Sequence, residues 1–575
     1  MRMKPFLLLS LLSLIAFSSS LAAQGRGPGG GWGPGPGGGG FDSGPIAESV
    51  STMDPTPYAA SVAGPVADGY KAEDVEGALN FAHSLGIDLS AKTISLDGSP
   101  AKAIADDGAT GLAGVTVKKS AAGIAISSTY AEPIAYRLKG SLTGTLSVEK
   151  SAAPYKLILE GAAIQAVDGP ALSLTAKAKA FIYSAAGTSN ELSDSAKRSA
   201  NKDKAAVYAK GPIVFQGRGS LSVTASYKHG VFSEDYIRVT GGTISVSVSA
   251  KNALQAVNAF IFDDGRLSIS ATGTVIDEES KGIKVDGAEG SGAGLGYIII
   301  NGGYIDIVSV GKAITAGWDI DEDAKTADRS DDPDPDLRVN AGVITVKTTG
   351  QPYERIDSAT GKEVSLSPEG LEAKSDLIIK GGYLKIETTD DSLNAGNSVS
   401  IKGGLMYCAS ESNDAIDSNG GLAISGGTIV AIAAGGPESA FDCDANTFNI
   451  SGGTFVGIGG STSVPTASAC SQNVLVLNGL GLKSGQALAL RSGFGEIALA
   501  YKMARDADTI IVSSPAITTG AEYAVMAGGG AASGDSFMGL SLGKASYSGG
   551  NALKTLKVSS RLTSLGSMQR MPNRK

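Results

Sequence analysis

Cysteine is scarce in this chain of 575 residues: Cys408, Cys443 and Cys470 are the only three. That is too few for a disulfide scaffold. Histidine is scarcer, with only His83 and His229. A histidine-rich metal centre is therefore excluded, and any Ser/His/Asp triad would have to use one of those two. Charged residues make up 18% and the net charge is −9. Nucleic acid and anionic membrane surfaces are poor partners for such a chain, because phosphate binding needs clustered Lys and Arg. No apolar run is long enough to span a bilayer, which takes about 18 residues.

Glycine is what the chain has in excess, at 79 residues. That is roughly double the usual share and too much for a helical protein. No three-residue period runs through it, so it is not collagen-like. Hydrophobic residues at 42% exclude disorder along the whole chain. A large, ordered, turn-rich β protein remains.

The first residues read as a signal peptide, residues 1–23. Arg2 and Lys4 give a positive start, residues 6–17 an apolar core, and Ser20 to Ala23 a small-residue cleavage site. The expected location is secreted, cell-surface or periplasmic. Residues 24–45 are a Gly/Pro-rich linker whose Trp32 reads as incidental, with sugar stacking as the alternative. Residues 46–129 form an N-terminal region and the start of the repeats, with a short helix expected near residues 73–85. Residues 130–470 carry the repeats, and 471–575 a C-terminal β cap or domain.

The repeat is the informative feature. Gly pairs recur at 241–242, 302–303, 381–382, 403–404, 426–427 and 452–453, with degenerate copies at 264–265 and 341–342. Apolar and polar residues alternate on both sides of each pair, which is strand patterning broken by a turn. A second element precedes each pair: a small residue followed by an apolar anchor. The anchors are Val231, Leu254, Ile283, Ile314, Leu371, Leu393, Ile416 and Phe441. The last four are 22 to 25 residues apart. One repeat therefore holds two or three short strands and no helix. Such a coil cannot bury its apolar side alone, so coils must stack. The expected fold is all-β: a right-handed single-stranded parallel β-helix with a small C-terminal β domain or cap, which covers strand edges otherwise left unpaired. Residues 317–340 and 349–367 read as polar insertions.

Stacking puts equivalent residues about 4.8 Å apart in columns. Two residues before the anchor the column reads Glu369, Asp391, Asp414 in successive coils; one residue after it reads Glu372, Asn394, Asp417, Asp442. Asp390 flanks them. Like charges so close repel by several kcal/mol unless neutralised. Ca²⁺, which takes six to eight oxygen ligands, would neutralise them. A solvated acidic face or a run of Asx turns is the alternative. Asp319, Asp321 and Asp323 resemble the start of an EF-hand loop. Ala324 and Ser330 break that pattern, leaving a looser Ca²⁺ loop or a solvated acidic loop. Tyr304 and Tyr383 share an outward column after the Gly pair and are the carbohydrate-stacking candidates, with simple cover of the sheet as the alternative. Cys408 and Cys443 fall at inward positions and read as core fillers.

Several stretches carry a family resemblance: Ser189 to Asp194, the Gly-Gly coils, Lys380-Gly381-Gly382-Tyr383 followed by Asp390-Asp391-Ser392-Leu393, and the late Ser513-Ser514-Pro515 with Gly520-Ala521-Glu522-Tyr523. Over roughly residues 130–560 the chain resembles the secreted carbohydrate-binding proteins whose β-helix is pectate-lyase-like. The resemblance implies a polysaccharide partner and bound Ca²⁺. It also implies a rival reading, a polysaccharide lyase using Lys281 or Lys312 as base, since those lysines interrupt the first column where the family commonly has an acid; a third reading is a structural surface or adhesion protein whose Gly tether projects a rigid rod. A hydrolase reading pairs Asp390 and Asp391 with His229, but in an order reversed from pectin hydrolases.

Overall fold

The computed structural model describes residues 43–199, 203–287, 294–318 and 334–567. The signal peptide, nearly all of the linker, and Asp319, Asp321 and Asp323 lie outside the described residues. No helix among those described is long and apolar enough to cross a membrane.

The repeats wind into a parallel β-helix with three faces. Face one has twelve strands, from Val115–Ser120 to Ile416–Ser418. Face two runs from His83–Asp88 through Tyr236–Val239 and Asp376–Ile379 to Phe448–Ile450. Face three runs from Ser189–Ser193 through Thr243–Val248 and Tyr383–Thr388 to Thr454–Gly459. The register follows the sequence columns. Leu371 pairs with Leu393 and that with Ile416 on face one, Leu377 with Val399 and Leu422 on face two, and Leu384 with Met406 and Ile429 on face three. These side chains point inward and are buried in one continuous core. Burying each contributes about 1.5–3 kcal/mol. Cys408 and Cys443 are buried there, and none of the three cysteines is in a disulfide.

The Gly pair turns face two into face three, and each glycine has its own reason. Gly427 has φ +91°, which L side chains adopt only at a cost. At Gly426 a Cβ would lie 2.3 Å from the carbonyl oxygen of Lys402, one coil earlier. Where glycine precedes an anchor it is confined too: a Cβ on Gly370 would lie 2.4 Å from Ile386.

Residues 43–82 form a strap along the outside of the coils. It runs from the C-terminal end of the stack toward the first coil. Ala47 N donates to Ala504 O at 2.7 Å, Val62 N to Asn301 O at 2.8 Å, and Gly303 N to Ala59 O at 2.9 Å. Arg238 donates to Gly69 O at 2.8 Å, and Gln216 Nε2 to Asp74 O at 2.8 Å. The helix expected near 73–85 is absent. The segment holds a 3₁₀ turn, Ala72–Asp74, then a loop and the strand His83–Asp88. The turn's backbone donors bond locally, Asp74 N to Lys71 O and Val75 N to Ala72 O, while the buried Asp74 side chain bonds to the coils. Asp74 is fully buried, with Lys179 Nζ at 2.5 Å and the Tyr236 hydroxyl at 3.0 Å. The strap explains why face two carries outward apolar residues. Ile261 and Ile299 lie directly under Gly69.

At the other end, Thr454–Gly459 pairs antiparallel with Ala507–Ser513, which pairs antiparallel with Val474–Leu482. The strands Ala487–Ser492, Ile497–Lys502, Glu522–Phe537 and Leu540–Lys557 close a small antiparallel barrel. This region packs over outward residues of face three, including Leu405, Tyr407, Val430 and Ile432. Face two is thus covered by the strap and the last coils of face three by the C-terminal strands. Neither covers face one, although Glu369, Glu372 and Asp391 of its columns are buried.

Candidate functional site

The outer side of face one carries both charged columns, and they behave differently along the stack. In the middle coils they are neutralised by lysine. Lys312 Nζ lies 2.6 Å from Glu369 and 3.0 Å from Glu372, and Lys374 Nζ lies 2.7 Å from Glu372. Thr315 Oγ1 donates to Glu372 at 2.5 Å, and Asn394 Nδ2 to Glu369 at 3.1 Å. Burial opposes the charge on Lys312, but Glu369 and Glu372 outweigh it and hold the ammonium above the ordinary lysine range. Burial likewise opposes the Glu372 charge, and Lys312 with Lys374 overrides it, so its pKa falls. Glu369, Glu372 and Asn394, expected as metal ligands, are therefore engaged by protein groups. Lys312 keeps its proton, the opposite of what a base requires.

Lys281 differs. Its pKa is pushed down to about 8, first by burial and then by Lys284 and Lys312. It lines a cleft of about 250 Å³ together with Lys284, Lys312, Glu372 and Lys374. One wall is a hairpin of Tyr353–Ile356 and Glu363–Leu366 within the second insertion. The Tyr353 hydroxyl bonds Glu279 and pins this wall to the preceding coils.

In the last coils the acids converge on one another. Carboxylate oxygens of Asp414, Asp417 and Asp442 all lie within 4.8 Å of one another. Asp391 and Asp414 are pushed well above the usual carboxylate range, first by burial and then by each other's neighbours, Asp417 among them. Glu438 joins this group, raised to about 7 by burial and then by Asp390, Asp442 and Asp417. Sequence columns missed Glu438 because it lies off the repeat, in the longest of the late coils. That extra length was its only signal. Asp390 accepts from Asn413 Nδ2 at 2.6 Å, and Asp391 from Asp414 N at 3.1 Å. Asp442 Oδ1 accepts from Cys443 N at 2.7 Å and Ser463 Oγ at 2.8 Å, so the Asx-turn role also holds there. Three converging carboxylates are a donor set that suits a hard divalent cation such as Ca²⁺.

The aromatic expectations fare differently. Tyr383 is buried, with its ring 6.3 Å from Tyr58 of the strap and 5.7 Å from Phe537. It offers no face to a sugar, because the strap and the C-terminal strands use it as packing. Tyr304 is half-buried, with the Arg266 guanidinium 4.3 Å from its ring centroid. His229 is buried beside Phe232, five coils from the Asp390 corner, or about 24 Å. Burial, then Lys251 and Lys228, push it down to about 3. It cannot act with Asp390 and Asp391.

A family model described as carbohydrate-binding domain-containing protein matches residues 120–415, just over half of the chain. The chain belongs to this family of carbohydrate-binding domain-containing proteins. Among solved structures, a polysaccharide lyase-like protein from C. thermocellum, solved as a gadolinium derivative, is similar at 21% identity and a TM-score of 0.35. The similarity covers 47% of this chain and 92% of that one. No curated protein matches the sequence.

Proposed function

We propose that this is an exported, non-catalytic polysaccharide-binding protein. It lays a cellulose-like or uronate-containing glycan along the outer side of face one and holds Ca²⁺ with Asp414, Asp417 and Asp442. The observation that carries this reading is the position of the charged columns. They occupy a face free of both strap and C-terminal strands, in a chain of a carbohydrate-binding family. Ca²⁺ would neutralise the acidic group and provide a positive point for hydroxyl or carboxylate oxygens of the glycan. Asp390, Asp391 and Glu438 supply further oxygens around it. Export rests on the signal-peptide pattern of residues 1–23.

A lyase is the second reading, favoured by one observation: the lowered pKa of Lys281 beside an open cleft. Lys312 does not serve, since two glutamates hold its proton. One incubation separates the readings. Purified protein is mixed with polygalacturonate and with insoluble cellulose, in Ca²⁺ and in chelator. Retention on a glycan without new ultraviolet absorbance supports binding alone. Release of unsaturated uronides would establish the lyase instead. Retention on neither glycan would sink both readings.

A further inference from the structure

We infer that the strap of residues 43–82 is a latch that closes last in folding, and only on a completed stack of coils with its C-terminal strands in place. Until it closes, face two carries a bare apolar strip.

The spread of its partners carries the inference. Within itself the strap makes only single turns, Thr56–Ala59, Gly64–Val66 and Ala72–Asp74. An isolated turn does not hold in water, because it fixes several dihedrals for one bond. The groups that hold the strap are spread along the rest of the chain. Near the first coils they are Lys179, Tyr236 and Arg238. In the middle coils Asn340 Nδ2 donates to Asp68 Oδ2 at 3.1 Å, and Lys380 Nζ lies 2.7 Å from the same oxygen. Gly342 N donates to Tyr58 O at 2.7 Å. At the far end Thr52 N donates to Ser536 O at 2.9 Å, and Ser536 N to Thr52 Oγ1 at 2.8 Å. Ile46, Met53 and Tyr58 pack against the apolar core that joins the late coils of face three to the C-terminal strands. Without those strands the strap lacks one end of its seat.

Loop closure sets the order. Leu371 pairs with Leu393 and Leu393 with Ile416, which are 22 and 23 positions apart. Such a stack can start anywhere and extend coil by coil. The strap's contacts span 169 positions at Arg238, 312 at Lys380 and 484 at Ser536. Closing a loop costs more entropy the longer it is, so contacts of that span form late. Folded coils then hold the partners in a row, and the strap lies down across them. It is also synthesised before every partner it uses, and so waits for all of them. Beneath it, Phe181, Val214, Tyr236 and Ala259 form an apolar cluster against which Leu79 and Phe81 of the strap pack. Ile261 and Ile299 extend that strip under Gly69. An unlatched stack exposes the strip, and contiguous apolar patches promote association.

The test is refolding of the full chain from denaturant, with pulsed hydrogen exchange read by mass spectrometry. Peptides of the coils, such as residues 371–395, and of the C-terminal strands, such as 507–513, should gain protection first. Peptides covering residues 46–62, where Ala47, Thr52 and Val62 donate to distant carbonyls, should gain it in a later phase. A fluorescent dye that binds exposed apolar surface should be released in that same phase. Pro45, Pro55, Pro57 and Pro65 lie in the strap, and proline isomerisation is slow in its own right. A second arm therefore unfolds the chain too briefly for isomerisation, and the order should persist there. Asp74→Asn should leave the rate of coil protection within about twofold of wild type, because a contact formed after the transition state does not slow folding. Strap protection in the briefly unfolded arm that precedes or coincides with that of the coils or the C-terminal strands would overturn the inference. So would a slower coil phase in Asp74→Asn, which would put the strap in the folding nucleus. Should refolding aggregate, stepwise denaturant reads the order in reverse. Strap peptides should lose protection at a lower concentration than the coils, and simultaneous loss would overturn the inference.

Discussion

Asp74→Asn should loosen the strap without unfolding the coils. Asp74 is fully buried, within 2.5 Å of Lys179 Nζ and 3.0 Å of the Tyr236 hydroxyl, with Arg238 at 3.7 Å. Removing one partner of a buried ion pair costs about 3–5 kcal/mol, because the other charge stays buried and unmatched. Two contacts reduce that figure here. Arg238 keeps Asp263 at 2.6 Å, and Lys179 keeps Glu73 at 3.3 Å. The asparagine oxygen can still accept from Tyr236. A net cost of about 2–4 kcal/mol follows. The strap crosses the coils without belonging to their ladders, so the loss falls on its own opening. Hydrogen exchange at the amides of Val62, Asp74 and Val75, all bonded in the wild type, should accelerate by roughly 30- to 900-fold. Core amides such as Leu393 should keep their rates. Unchanged exchange across residues 62–78 would refute the account of the latch. An equal acceleration in every coil would refute the strap's independence from the core.

Three further outcomes are expected. Ca²⁺ at a hundred times its dissociation constant should stabilise the chelated protein by about 2.7 kcal/mol, and the double variant Asp414→Asn/Asp417→Asn should show no such rise in calorimetry. In chelator, Glu438 has a folded pKa of about 7 against an ordinary 4.5. The folded state then binds the extra proton between those values, and stability falls as pH rises through that window. Glu438→Gln should lack that part of the slope, which paired denaturant titrations at pH 4.5 and 7.5 would measure. Lys312→Met should cost about 3–5 kcal/mol, because Glu369 and Glu372 lose their counter-charge.

The coils were legible because their constraints are local and periodic. Gly426 and Gly427 mark a corner that admits no side chain, and anchors such as Leu371 and Leu393 repeat at the coil length. The columns correctly placed Glu372, Asn394 and Asp417 side by side. Their charge balance was not legible. Lys374, two residues after Glu372, neutralises a carboxylate that the column alone assigned to a metal. Glu438 and the hairpin of residues 353–366 fall off the repeat, so no column announced them. The strap was illegible for a different reason. Residues 43–82 have no period of their own, because their conformation is set by partners such as Asn301 and Arg238 that lie far along the chain. Tyr383 shows the same limit. Its outward position was readable, whereas the cover by Tyr58 and Phe537 was not.

Lysine footprinting tests the glycan face most directly. The protein is treated with an amine-acetylating reagent, with and without polygalacturonate in Ca²⁺, and each lysine is quantified by mass spectrometry. Lys284 and Lys374 line the cleft on face one, whereas Lys347 and Lys385 belong to strands of face three. Protection of Lys284 and Lys374 with unchanged labelling of Lys347 and Lys385 is the predicted result. Protection of Lys347 and Lys385 with face one still reactive would contradict it.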